Sequence, residues 1–207
     1  LLGPTMMHLG TDDLKKAFRQ LPCSQPHYNV VAQWDPKSKR VKFFVLRGMP
    51  FGCVSSVLHF NRLPAFICTV MRCYFGVCVT NYYDDYCVAE PASTAASAQW
   101  CLRRVHEILG FALDPNKHVR AAIMNPFLGV ITDFTQVLQG LVIFRIKADR
   151  REKLLKALQA LLDNKKCSPA SASSMRGKLY FTAGTCFGRV GVPALQALTN
   201  RQYGTGT

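Results

Sequence analysis

Apolar and polar positions follow two rhythms along this chain. Short apolar runs broken by turn residues dominate up to about residue 146, and a helical period takes over afterwards. Met6 to Asp13 reads as a short buried strand, and Leu14 to Leu21 as a brief helical turn stopped by Pro22. Tyr28 to Gln33 and Val41 to Leu46 are extended runs flanking the turn signal Asp35-Pro36-Lys37-Ser38. They predict a hairpin with Lys37, Lys39, Arg40 and Lys42 at its tip. Gly48-Met49-Pro50-Phe51-Gly52 is a loop. Ser55 or Ser56 can cap a helix running toward Tyr74, with a kink expected at Pro64.

Val77-Cys78-Val79 and Tyr86-Cys87-Val88-Ala89 predict two strands joined by a tight turn that carries Tyr82-Tyr83-Asp84-Asp85. Ala98, Leu102, Val105 and Leu109 recur at helical spacing, and Gly110 ends that helix. Phe127 to Val130 and Leu141 to Ile146 read as strands. From Asp149 onward Leu154, Leu155, Leu158, Leu161 and Leu162 form an apolar stripe, with Arg150, Arg151, Lys153 and Lys156 largely off it. A polar loop, Asn164 to Ser168, leads to a second helix around Ser174 to Thr185. The pattern gives hairpins and helices up to a soft boundary near residue 147 and helices after it, the elements of an α+β fold.

At 207 residues, 49% hydrophobic and 18% charged, the chain is long and apolar enough for a real core. A net charge of +14, concentrated after residue 100, favours a polyanionic partner, most simply nucleic acid. The plainer alternative is a protein that is only basic and soluble. Nine cysteines, an odd number without zinc-type pairing, suggest buried thiols in a reducing compartment. No apolar run reaches the ~18–20 residues that span a bilayer, so no membrane partner and an intracellular location are expected. The chain starts at Leu1 without methionine and stops at Thr207, which suggests a piece of something longer.

Charge placement changes the picture most. Only 12 residues are acidic, and four of them form two adjacent pairs, Asp12-Asp13 and Asp84-Asp85. Clustered carboxylates repel unless a cation neutralises them. Two divalent cations roughly 3.5–4 Å apart can drive in-line nucleotidyl transfer, and magnesium prefers hard oxygen ligands. Asp13 with Asp84 and Asp85, if strands bring them together, would form such a site. Taken alone, an Asp-Asp pair is more often a solvated turn.

Order and neighbours add a resemblance. Asp13-Leu14-Lys15-Lys16-Ala17-Phe18, Met49-Pro50-Phe51-Gly52-Cys53-Val54-Ser55-Ser56 with Phe60-Asn61, Tyr82-Tyr83-Asp84-Asp85, Leu109-Gly110-Phe111-Ala112-Leu113 with Asn116-Lys117, and Phe127-Leu128-Gly129-Val130 follow one another along the chain. This succession resembles the catalytic core of a retroelement reverse transcriptase. The tail, with Gly177-Lys178-Leu179-Tyr180-Phe181, is similar to tyrosine-recombinase-type (DIRS-like) elements. The resemblance implies a polymerase palm over 1–146, with a partial fingers hairpin at about 23–50, followed by a helical thumb or connection over 147–207.

The resemblance also implies roles. Asp13 and Asp84 would be the main ligands of two Mg²⁺ ions, with Mn²⁺ as a substitute. Asp85 would be a weaker ligand, and Leu14 would lend its carbonyl. By strand alternation Asp12 falls on the opposite face, as a solvated or helix-capping residue. Ala17, Phe18, Phe51 and Gly52 would line the nucleotide pocket, and Phe18 would exclude a ribose 2′-hydroxyl. Lys117 would be a general acid for pyrophosphate, with His118 beside it incidental. Tyr82, Phe127, Leu128 and Gly129 would hold the primer. Arg150, Arg151, Lys153 and Lys156 would follow the phosphates of an RNA–DNA hybrid. Plainer alternatives stand beside several of these: a core Phe18, a cross-strand Tyr82, a solvated Lys117 and a solvated basic helix face.

Two departures stand out. Val57 stands where the family usually has proline. The family's basic fingers, which clamp a triphosphate, and its downstream ribonuclease H domain are expected to lie outside these 207 residues. The expected function is extension of a DNA primer with dNTPs on an RNA template, and on DNA as well. The alternatives are a catalytically incompetent nucleic-acid-binding remnant of a mobile element and an RNA-directed RNA polymerase.

Overall fold

Strand β1, Met7–Asp13, lies at the heart of a four-stranded antiparallel sheet. On one side it pairs along its whole length with β5, Asp85–Pro91. On the other it meets the short β6, Val119–Ala122. β4, Val79–Tyr82, completes the order β4-β5-β1-β6. These relationships come from a computed structural model that describes residues 5–187 and 191–204. The chain is α+β. Its contacts divide it into two units, Leu1–Ile123 and Met124–Thr207.

In the first unit two helices cover the sheet. α2, Arg62–Phe75, buries Pro64, Ile67, Cys68 and Met71. α3, Ala95–Ile108, buries Ala95, Ala98, Gln99, Leu102 and His106. Both stripes step by three and four residues, the spacing of one helix face. They pack on β4 and on β1 and β5 respectively, around Phe60, Tyr86 and Val88. Each large apolar side chain buried there contributes about 1.5–3 kcal/mol. α3 stops as expected: Gly110 takes φ 78°, while Phe111 N–H bonds His106 C=O and Gly110 N–H bonds Glu107 C=O.

The helix expected from Ser55 or Ser56 is two helices. α1 is Val54–Phe60, and α2 begins after Asn61. Cys53 stands at the cap position and no side chain caps it, so Ser55 and Ser56 lie inside the helix rather than before it. Pro64 is the third residue of α2, and the break at Asn61 lies within the turn before it, where a proline ring crowds the carbonyl four residues back and interrupts the helix. The basic-tipped hairpin is present as β2, Val30–Asp35, and β3, Arg40–Val45. Its turn is held by Lys37 N–H and Ser38 Oγ–H donating to the Asp35 carboxylate.

The β1–β6 seam is irregular. Leu9 pairs with Ala122 and Thr11 with Val119, so three steps on β6 oppose two on β1. The Gln99 side chain fills this bulge. Its amide donates to Val119 C=O at 2.9 Å and accepts from Ala121 N–H at 3.0 Å. It fits because Gly10 has no side chain: a β-carbon there would lie 2.7 Å from the Gln99 amide.

The second unit holds a three-stranded antiparallel sheet, β7 Met124–Phe127, β8 Val130–Asp133 and β9 Ile143–Ile146. The strand expected at Phe127 to Val130 is instead the turn that joins β7 to β8. Phe127 pairs with Val130, leaving Leu128 and Gly129 as a two-residue loop. Helices α4 Ala148–Asn164, α5 Pro169–Phe187 and α6 Gln196–Tyr203 follow. α5 packs on β9 and α6, which places the three strands with the helices and leaves residue 147 inside this unit. Along α4, Leu154 is buried and Leu158 and Leu161 are half-buried, whereas Leu155 and Leu162 are exposed. The stripe is therefore narrower than the five leucines suggest. Among the described residues no helix is long and apolar enough to cross a membrane.

Candidate active site

β1 and β5 end together, with Asp13 directly opposite Asp85. Opposed residues of an antiparallel pair have β-carbons about 4.5–5.5 Å apart, so the two carboxyls face each other. Asp84 joins them because its C=O accepts from Leu14 N–H at 3.0 Å, closing the strand ends. Lys117 arrives from the loop after α3 and donates to Oδ2 of Asp13 at 2.8 Å. Four of the residues singled out in sequence, Asp13, Asp84, Asp85 and Lys117, thus occupy one place.

Their electrostatics follow from crowding. Asp13 is only 6% exposed, and with the carboxyls ionised its Oδ1 is buried without a donor. Burial pushes the Asp85 carboxyl up to about 7, and its hydrogen bond with the Asp13 side chain adds to this, followed by the charges of Asp13 and Asp84. A proton on Asp85 gives the pair the donor it otherwise lacks. Burial also raises Asp84 above the ordinary carboxylate value, with the Asp13 charge assisting. The hydrogen bond to Asp13 raises Lys117, so it remains an ammonium.

Hard oxygens at the end of a sheet, one of them orphaned and one carboxyl raised first by burial and then by its neighbours, suit a small divalent cation. As they stand, no group of three or more His, Cys, Asp and Glu side chains among the described residues is drawn close enough to hold a metal ion. The Leu14 carbonyl accepts from Ala17 N–H at 3.3 Å, and its second lone pair remains for another partner.

The hairpin tip is strained. Tyr83 and Asp84 form its two-residue loop, and Tyr83 takes φ 52°. A tyrosine in that region costs of order 1–3 kcal/mol, and such strain gathers at functional sites. Tyr82 is largely exposed and meets Tyr83 edge to face at 4.9 Å.

Ala17 and Phe18 lie in a short 3₁₀ turn, Ala17–Gln20, and both are buried. Phe18, 7% exposed, stacks on Phe60 with centroids 4.4 Å apart and touches Phe51 at 4.8 Å. It is thus a core side chain first, with the exposed Phe51 beside it. Gly52 takes φ 92°, and nothing of the chain lies within 4 Å of where its β-carbon would stand.

Asp12 is neither solvated nor a helix cap. It is 2% exposed and accepts from Arg103 at 3.0 Å and Gln99 at 2.9 Å, with Nδ1 of His118 2.9 Å away. Alternation does place it opposite Asp13, but that face is covered by α3. Gln99, Arg103 and His118 were not singled out as partners in sequence. The available signal was Gly10 two positions before Asp12, since a glycine in a strand marks a close approach.

In the second unit Leu128 takes φ 50° and Gly129 φ 80°, the signature of a type I′ hairpin turn. Arg150 lies over this turn: a β-carbon on Gly129 would stand 2.7 Å from its Nη1, and its guanidinium sits 4.5 Å from the centroid of Phe181. Arg151 is exposed. Lys153 and Lys156 pair along α4 with Asp149 and Glu152, surface pairs of small energetic value.

No protein-family model matches the chain, and no curated protein sequence matches it. Among solved structures it is similar to the foamy viral protease-reverse transcriptase in complex with an RNA/DNA hybrid, with TM-score 0.64 and 15% identity over 93% of this chain and 24% of that one. The dRH form of the same protein with double-stranded DNA gives TM-score 0.65 at 15% identity, over 95% and 31%. A further complex with double-stranded DNA gives 0.58 at 16%, over 93% and 36%. The chain thus spans 24–36% of the length of these neighbours. The likeness shows the fold: an α+β architecture of the reverse-transcriptase palm and thumb type.

Proposed function

We propose that this chain is the core of an RNA-directed DNA polymerase that extends a primer with dNTPs. The observation that carries the proposal is the meeting of Asp13, Asp84, Asp85 and Lys117 at one end of a palm-type sheet. The net charge of +14 and the nucleic-acid complexes of the foamy viral proteins support an RNA template and an RNA–DNA hybrid as partners. In this proposal residues 1–146 serve as palm with a partial fingers hairpin, and 147–207 as a thumb of DIRS-like character.

Two Mg²⁺ ions, or Mn²⁺, bound at these carboxylates would supply activation of the primer hydroxyl and stabilisation of pyrophosphate. Asp13 and Asp84 would be the principal ligands, with Asp85 and the Leu14 carbonyl assisting. Asp85 must give up its proton to bind, and Lys117 must yield Oδ2 of Asp13. Lys117 would then be free to donate its proton to the leaving pyrophosphate oxygen. Ala17, Phe18, Phe51 and Gly52 would bound the nucleotide. Tyr82 and the Phe127-Leu128-Gly129 turn would seat the primer, and Arg150 and Arg151 would follow its phosphates.

The decisive measurement pairs extension of a DNA primer on an RNA template with duplex affinity. Asp84→Asn is expected to abolish extension while duplex affinity stays within about two-fold, since the carboxylate serves the reaction rather than the backbone contacts. Equal extension by the variant and the unaltered chain overturns the proposal. Nucleic-acid binding without catalysis is favoured by two observations: Lys117 already neutralises Asp13, and among the described residues no three-ligand metal cluster is preformed. Duplex binding with no extension by either protein would select it.

A further inference from the structure

On the Asp12 face of the sheet, between α3 and the edge strand β6, lies a cavity of about 370 Å³ lined by Gln99, Trp100, Arg103, His118 and Arg120. That volume falls within the range of small-ligand sites, roughly 300–1,000 Å³. Its chemistry is unusual for a solvated surface. Trp100 is 63% exposed and stacks on no other ring or cation among the described residues. The exposed indole offers a flat apolar face at the cavity rim, with its N–H as a polar edge.

The cationic side of the cavity is organised in advance. Buried Asp12 holds one Nη of Arg103 and faces His118, which fixes both at the cavity floor and neutralises one positive charge beneath it. The remainder of the Arg103 fork is left for a ligand, and Arg120 contributes a second guanidinium from β6. Guanidinium groups suit phosphate oxygens in two-point geometry. A flat aromatic beside them suits the face of a nucleobase, the combination that single-strand-binding surfaces use.

We infer that this cavity is a second nucleic-acid site, binding one nucleobase with its adjoining phosphate: the base against Trp100 and the phosphate between Arg103 and Arg120. It lies on the opposite side of β1 from Asp13 and needs none of the residues placed in the polymerase site. The ligand chemistry is shared by a free nucleotide and by one unit of a single strand.

The test follows Trp100 fluorescence in a Trp34→Phe background, with dTMP and with a short oligothymidylate as separate titrants. Trp100 emission is expected to be quenched. Read by the anisotropy of a dye-labelled oligothymidylate, Trp100→Ala is expected to weaken affinity about ten-fold, the scale of one lost base stack, with partial rescue by Trp100→Phe. Extension on a primed RNA template should be unchanged, so this inference and the polymerase proposal fail separately. Quenching by dTMP at oligonucleotide-like affinity identifies a free nucleotide as the ligand, and quenching by the oligonucleotide alone identifies a single strand. No quenching by either, or equal affinity in Trp100→Ala, overturns the inference. Displacement by inorganic phosphate with no dependence on Trp100 also overturns it.

Discussion

Lys117 donates to Oδ2 of Asp13 at 2.8 Å, joining two residues 104 positions apart. The contact places a proton donor at the carboxylate that would bind metal, and it also makes Lys117 a competitor for that carboxylate. Lys117→Gln separates the two effects. If Lys117 protonates the leaving pyrophosphate, extension should slow by about 10²–10⁴-fold, the usual range for a general acid. The magnesium concentration giving half-maximal rate should fall or hold steady, because the competing ammonium is gone. Single-turnover extension across a magnesium series reads both. An unchanged rate reduces Lys117 to a counter-ion.

The facing pair Asp13 and Asp85 sets a pH dependence with a definite sign. Asp85 is raised from 3.8 to about 7 in the folded chain, chiefly by burial. The folded state therefore holds this proton more tightly than the unfolded state. Its contribution to stability is complete below about pH 4 and is lost as pH rises through about 7. Without divalent ions, thermal stability should fall over that window, and Asp85→Asn should flatten the slope. If magnesium binds the ionised carboxyls, as proposed, its stabilisation should be larger at pH 8 than at pH 5.5. Equal magnesium-induced shifts in melting temperature at the two pH values would contradict this picture.

Gly10 and Gln99 form a lock beneath the same strand. A β-carbon at Gly10 would press within 2.7 Å of the amide that bridges Thr11, Asp12, Val119 and Ala121. Gly10→Ala is expected to destabilise the chain by about 1–3 kcal/mol through overpacking. In the double variant with Gln99→Ala the loss should fall short of the sum of the two singles, because they share one contact. Urea denaturation of the four proteins gives the coupling directly. Additive losses would mean the amide moves aside freely.

What the sequence showed and concealed has physical causes. The hairpin carrying Tyr82 to Asp85 and the helix through Ala98 and Leu102 were legible because each is a local pattern, apolar alternation in one and a three-four period in the other. β6 was not, since Val119–Ala122 is short and its place depends on a glutamine from another element filling a bulge. Asp12 was misjudged for the same reason: its cations, Arg103 and His118, lie 91 and 106 positions away. Asp13 and Asp84 could be paired in advance only through the order of motifs, because no periodicity brings β1 beside β5. Phe127 to Val130 was read as strand because its apolar run hides the turn, which shows only in the positive φ of Leu128 and Gly129.

Phe18 combines two roles that one substitution would confuse. It is stacked on Phe60 in the main core and also stands beside exposed Phe51 at the proposed nucleotide pocket. Phe18→Ala should therefore cost about 3–5 kcal/mol of stability, as for other buried phenylalanines. Phe18→Leu keeps most of the volume and should cost less, so it is the variant in which sugar choice can be read. If the ring edge excludes a 2′-hydroxyl, the ratio of ribonucleotide to deoxyribonucleotide incorporation should rise in Phe18→Leu and further in whatever Phe18→Ala remains folded. Both ratios come from the same primer-extension assay, with folding checked by thermal denaturation. A destabilised variant whose ratio does not move would assign Phe18 to packing alone, and the choice of sugar would then rest with Phe51 and the loop that carries it.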